Sequence, residues 1–72
     1  GEQLARQSER VAAQREALRL ADKRFAAGVV SFIEVLDTQR QLLAAETDFI
    51  NARLSRQLGL VQVYRALGGG WT

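Results

Sequence analysis

The sequence predicts an all-α fold, a long antiparallel αα-hairpin of coiled-coil type. Three observations point there. Proline is absent from all 72 residues, so neither long stretch carries a helix breaker. The two stretches are separated by one short glycine-containing segment, Ala27–Val30. Within both, apolar residues recur at helical spacing, not strand spacing.

Residues 1–27 read as the first helix. From Glu2 to Ala27 there are seven alanines, many Gln, Glu and Arg, and no glycine, all strong helix formers. Leu4, Val11, Leu18 and Phe25 recur every seven residues, a narrow seam of the coiled-coil kind. Lys23 and Arg24 fall in the last turn, where positive charge suits the carbonyl end of the helix dipole. Gly28 then supplies a residue able to adopt the left-handed conformation that ends a helix, and residues 28–30 form the turn.

The second helix is expected over residues 31–67. Ser31 and Glu34 have the spacing of a capping box, and Val30 and Val35 that of a hydrophobic staple across the cap. Gly59 is the one weak helix former before Gly68-Gly69-Gly70 stops the helix, and residues 68–72 form a glycine-rich tail. At about 1.5 Å per residue, such a helix runs about 55 Å.

Projected at about 100° per residue, this helix carries two apolar stripes. Phe32, Leu36, Leu43, Ile50, Leu54, Leu58 and Val61 form one. Val35, Leu42, Phe49, Leu60, Val63 and Leu67 form the other, with Leu36, Leu43, Ile50, Leu54, Val35, Leu42 and Phe49 as the principal packing positions. Glu34, Asp37, Gln41, Ala44, Asp48, Ala52 and Ser55 occupy the remaining arc. A helix with a wide apolar face fits a four-helix bundle. A helix with two separated stripes fits a stave in a ring of helices, flanked on both sides and wet on the third.

Composition narrows the function. Cysteine, histidine and methionine are absent, which removes disulfides, Cys/His zinc sites and Ser–His or Cys–His catalytic pairs. No other residue set completes a metal shell or a catalytic constellation. No cofactor, metal or enzymatic activity is expected. No apolar run approaches the roughly 20 residues that cross a bilayer, and Gly1 opens into polar helix-like sequence without a signal-peptide pattern. The net charge is +2, and the arginines alternate with Glu and Asp, so no nucleic-acid partner is expected. A 72-residue chain without staples has a small core. It is expected to self-associate, or to be a fragment of something larger.

The segment Arg24-Phe25-Ala26-Ala27-Gly28-Val29-Val30-Ser31-Phe32-Ile33-Glu34-Val35-Leu36-Asp37-Thr38-Gln39-Arg40 resembles a signature of TolC-like outer-membrane efflux channels. The closing Tyr64-Arg65-Ala66-Leu67-Gly68-Gly69-Gly70-Trp71 resembles the end of that family's lipoprotein branch, the OprM-like and NodT-like proteins. Leu42, Ala45, Glu46, Ala52 and Arg53 between them also fit the family's usual run. The resemblance covers essentially the whole chain. It implies one periplasmic hairpin of an α-barrel, cut from a much longer protein that forms a homotrimer in the outer membrane of a Gram-negative bacterium. Partners implied are a periplasmic adaptor (membrane fusion) protein and, through it, an inner-membrane pump. The cargo would be drugs, metals or other small molecules, and transport through the duct would be passive. A free-standing coiled-coil interaction module is the alternative.

By this resemblance Gly28, Val29, Val30 and Ser31 are the adaptor-docking tip; the other reading is that Gly28 and Ser31 only end and start helices. The family often has a polar or basic residue where Val30 stands, so the valine favours apolar docking here. Glu34 and Asp37 match acidic positions at the tunnel entrance, where three copies would form a cation-attracting ring. Their local readings are the capping box for Glu34 and an i,i+3 pair with Arg40 for Asp37. Asp48, on the same arc, faces either the lumen or solvent. Phe25 is expected against Phe32 or Leu36, Arg24 on helix-end carbonyls or a neighbouring hairpin, and Trp71 beyond the tunnel helix.

Overall fold

A computed structural model describes residues 2–68. Two helices make up the fold, α1 (Glu2–Ala26) and α2 (Phe32–Ala66), and they pack against each other as a hairpin with no strand among the described residues. The molecule is a rod with a longest dimension of 63 Å and cross-section dimensions of 18 and 14 Å. No helix is long and apolar enough to cross a membrane among the described residues.

The α1 terminus closes as a full Schellman motif. Gly28 has φ +75°, its N–H donates to Phe25 O at 2.9 Å, and the Val29 N–H donates to Arg24 O at 2.8 Å. The Ala27 N–H takes Lys23 O at 3.0 Å, so three carbonyls at the end of α1 are occupied. At the other end of α2, Gly68 repeats the left-handed conformation with φ +80°, and its N–H donates to Arg65 O at 3.0 Å.

Ser31 is the N-cap of α2, in extended conformation, with its carbonyl accepting from the Glu34 N–H at 3.1 Å. Its side chain makes no capping hydrogen bond, so the capping box expected from Ser31 and Glu34 does not form, and Ser31 caps α2 through its backbone alone. Val35 is buried and Val30 half-buried, the placement a staple requires.

The seam between the helices is a heptad ladder. From α1 it takes Leu4, Gln7, Val11, Gln14, Leu18 and Ala21, and from α2 Val35, Thr38, Leu42, Ala45, Phe49 and Ala52, all buried or half-buried. Among the described residues Val11, Ala21, Val35 and Ala45 are buried, a thin core. Two ion pairs cross the seam: Arg10 Nη1 to Asp48 Oδ2 at 2.6 Å and Arg15 Nη2 to Glu46 Oε2 at 3.4 Å. In this register large layers such as Leu18 with Leu42 alternate with layers that pair a glutamine and an alanine. Sequence pattern alone identified Leu4, Val11 and Leu18 but passed over Gln7 and Gln14, whose polarity hid the second seam position.

The two stripes of α2 part company. Val35, Leu42 and Phe49 face α1. Phe32, Leu36, Leu43, Ile50, Leu54, Leu58 and Val61 are all exposed, by 42 to 64%. Leu60, Val63 and Leu67, which continue the covered stripe, are also exposed because they lie beyond the reach of α1. Ala52, assigned to the polar arc, lies half-buried at the seam instead.

Candidate functional site

The end of the rod that carries the turn gathers the candidate residues. Gly28, Val29 and Ser31 are exposed there and Val30 is half-buried. Val29 is 71% and Ile33 75% exposed, so the tip presents aliphatic side chains to its surroundings. Beneath them Phe25 and Phe32 stack across the turn with ring centroids 5.2 Å apart and planes tilted by 51°. This tilted aromatic contact is of a favourable kind, and it ties the last turn of α1 to the first turn of α2. Phe25 therefore acts as a clasp at the mouth of the hairpin. Among the described residues the Arg24 guanidinium makes no hydrogen bond to helix-end carbonyls; the carbonyl of Arg24 is instead the acceptor for Val29.

Glu34 and Asp37 are both exposed on the first turns of α2, one helical turn apart. The pair envisaged between Asp37 and Arg40 does not form; Gln41 Nε2 donates to Asp37 Oδ2 at 2.9 Å. An i,i+4 spacing lets the shorter amide reach along the helix face where Arg40 points elsewhere. The Glu34 carbonyl accepts from Thr38 Oγ1 at 2.8 Å. The carboxyl of Glu34 makes no hydrogen bond among the described residues. Asp48 stands apart from this pair, exposed and bound to Arg10 across the seam. No local pattern signals that contact, because it joins residues 38 apart through a register set by packing.

Two further ion pairs lie within α1. Glu16 accepts from both Nε and Nη2 of Arg19, and these hydrogen bonds hold its carboxyl below the usual 4.5 and raise the Arg19 guanidinium in turn. Glu2 pairs with Arg6 at 2.9 Å. Arg53 has no carboxylate partner among the described residues, and its guanidinium lies 5.8 Å from the centre of the Phe49 ring. No group of three or more potential metal ligands occurs among the described residues. A groove lined by Gln3, Leu4, Gln7, Asp48, Asn51 and Ser55 lies at the far end from the tip. Gly69, Gly70 and Trp71 of the closing motif lie outside the described residues.

The hairpin thus presents an exposed aliphatic tip, the exposed carboxylates of Glu34 and Asp37 behind it, and a bare apolar stripe along the shaft. The family described as outer membrane efflux protein matches residues 1–69. The solvent efflux pump outer membrane protein SrpC of Pseudomonas putida is 42% identical over the whole chain. The toluene efflux pump outer membrane protein TtgC of the same species is 43% identical over 97% of the chain, covering 14% of that relative. Outer membrane protein OprJ of Pseudomonas aeruginosa is 46% identical over 78% of the chain, covering 12% of that relative. The chain spans 15% of the length of SrpC. No solved structure gives a significant match. With the match running through both helices and the turn, the chain belongs to the outer membrane efflux protein family.

Proposed function

We propose that this hairpin is part of an outer-membrane efflux duct and forms its periplasmic entrance. In this reading Gly28, Val29, Val30 and Ser31 dock a periplasmic adaptor, through which an inner-membrane pump supplies the energy. Glu34 and Asp37, brought together three times in a homotrimer, line the entrance and favour cations over anions. Leu36, Leu43, Ile50 and Leu54 pack against a neighbouring stave, while Val35, Leu42 and Phe49 hold the hairpin together. The chain makes and breaks no bonds; its contribution is gating and selection by packing and charge. Small molecules such as those named for the relatives, solvents and antibiotics, are the natural class of cargo.

The observation that carries this reading is the uncovered apolar surface: a family member whose tip and one full shaft stripe are exposed is built to be covered by other chains. The test uses the full-length protein. Val29→Asp, at a side chain 71% exposed, is expected to abolish resistance to the pumped compounds while leaving trimers in the outer membrane. Normal resistance in that variant would remove the docking role. Glu34→Ala with Asp37→Ala is expected to change single-channel conductance and weaken block by divalent cations. Unchanged conductance and block would remove the entrance role.

A further inference from the structure

The hairpin has two broad faces, one on either side of the seam. On one lie Phe32, Leu36, Leu43 and Ile50 of the bare stripe, with the Arg15–Glu46 pair between them and α1. On the other, Glu34, Gln41, Asp48 and Ser55 recur every seven residues, with Asp37 and Asn51 beside them, all exposed. A seven-residue recurrence keeps side chains on one face of a helix that coils about a partner. Between Glu34 and Ser55, α2 presents no large apolar side chain to this second face.

Asp48 is the carboxylate of the polar face furthest from the tip, and it is the one that is neutralised. Arg10 Nη1 meets Asp48 Oδ2 at 2.6 Å, whereas Glu34 and Asp37 have no cationic partner among the described residues. The pair stays in reach of water, with the Arg10 side chain 43% and that of Asp48 51% exposed. Asp48 also borders the polar groove of Gln3, Gln7, Asn51 and Ser55, which a second cation, Arg56, lines as well. Asp37 and Asp48 are 11 positions apart, close to three helical turns. They therefore point the same way to within about 20° and lie about 16 Å apart along the shaft.

We propose that Arg10 sets the charge selectivity of the duct above its entrance. The proposal rests on the reading of Glu34 and Asp37 as entrance carboxylates. The face that turns them to the water inside turns Asp48 and Arg10 there too, while the apolar stripe goes to neighbouring staves. In a homotrimer Asp48 alone would add three carboxylates to the tunnel wall, a second ring that attracts and retains cations. Arg10 cancels that ring. Cations are then selected once, near the tip, and organic cations and uncharged molecules pass the shaft without being held again. Folding does not need the pair, because exposed ion pairs contribute little to stability.

The test measures the reversal potential of the full-length trimer in a planar bilayer across a potassium chloride gradient, at low ionic strength where charge is least screened. Arg10→Gln is expected to raise the preference for potassium over chloride about twofold. Asp48→Asn is expected to lower it, and Arg10→Asp with Asp48→Arg to restore it. Glu34→Gln with Asp37→Asn is measured beside them. Unchanged selectivity in both single variants, with a shift in the entrance variant, overturns the inference and leaves the entrance reading standing. No shift in any variant overturns both. A second measurement keeps both charges in place. The 72 residues contain no cysteine, so Asn51→Cys on the polar face and Gln39→Cys on the other face, one heptad from Glu46, each place one thiol in the hairpin. A cationic thiol reagent is expected to change the current through Asn51→Cys channels and to leave Gln39→Cys channels as they were. The reverse pattern, or no change in either, overturns the inference.

Discussion

Two glycines of this chain have opposite reasons for being there. Gly28 sits at φ +75°, and a Cβ added to it would meet nothing within 4 Å. The cost of Gly28→Ala is therefore conformational and not steric, about 1 kcal/mol, and urea titration followed by circular dichroism at fixed chain concentration should read it. Gly59 lies inside α2 with equal space around it and no left-handed backbone. Gly59→Ala should stabilise by about 0.5–1 kcal/mol in the same titration. The side-chain carbonyl oxygens of Gln7 and Gln14 are buried in the seam without a hydrogen-bond partner. Gln14→Leu removes one of these unsatisfied acceptors at similar volume, and a gain of about 1 kcal/mol is expected. Glu16 gives a pH signature. Hydrogen bonds from Arg19 lower its folded-state value below 4.5, so the pair's support is present above that value and fades as pH falls through the depressed one. Glu16→Gln should flatten the acid limb of a helicity-versus-pH curve, the effect being small because the pair is open to solvent.

At the scale of the element, the seam of α1 and α2 depends on close approach at its small layers. Ala45 is fully inaccessible to solvent. Ala45→Leu would force the helices apart and is expected to cost about 1–3 kcal/mol, visible as a lower urea midpoint; the same change at Ala44, on the exposed arc, should be nearly neutral. The helices themselves were legible from the residues. Alanine-rich and glycine-free stretches, Gly28 as a stop and Ser31 as a start are local signals, and local backbone chemistry decides them. The separation of α2 into two stripes was legible as well, because 3.6-residue periodicity survives tertiary context. The Gln–Ala layers were not, since a polar residue on a seam looks like surface until a partner is laid against it. Nor were Arg10–Asp48 and Arg15–Glu46, whose meeting depends on the register of two helices joined by the turn. At the tip, the sequence identified Phe25 with Phe32 by proximity to the turn. It placed Asp37 with Arg40 where geometry favours Gln41.

For the whole molecule, the rod has a covered side, a bare apolar side and a polar side. The four buried residues among those described, Val11, Ala21, Val35 and Ala45, leave the bare side uncovered, and the proposed packing of the shaft against other chains would bury it. Stability should therefore rise with chain concentration, and the thermal midpoint followed by circular dichroism should climb from micromolar to millimolar solutions. Leu43→Ser, on the bare stripe, should remove most of that climb while leaving the dilute chain no less helical. The turn has a consequence of its own. Because the carbonyls of Lys23, Arg24 and Phe25 are already engaged by the chain's own amides, those three are closed to an approaching molecule. In the proposed docking the exposed aliphatic surface of Val29 and Ile33 would carry the contact. Such a grip is indifferent to ionic strength, so added salt should loosen the charged flanks of the shaft and leave contact at its end untouched.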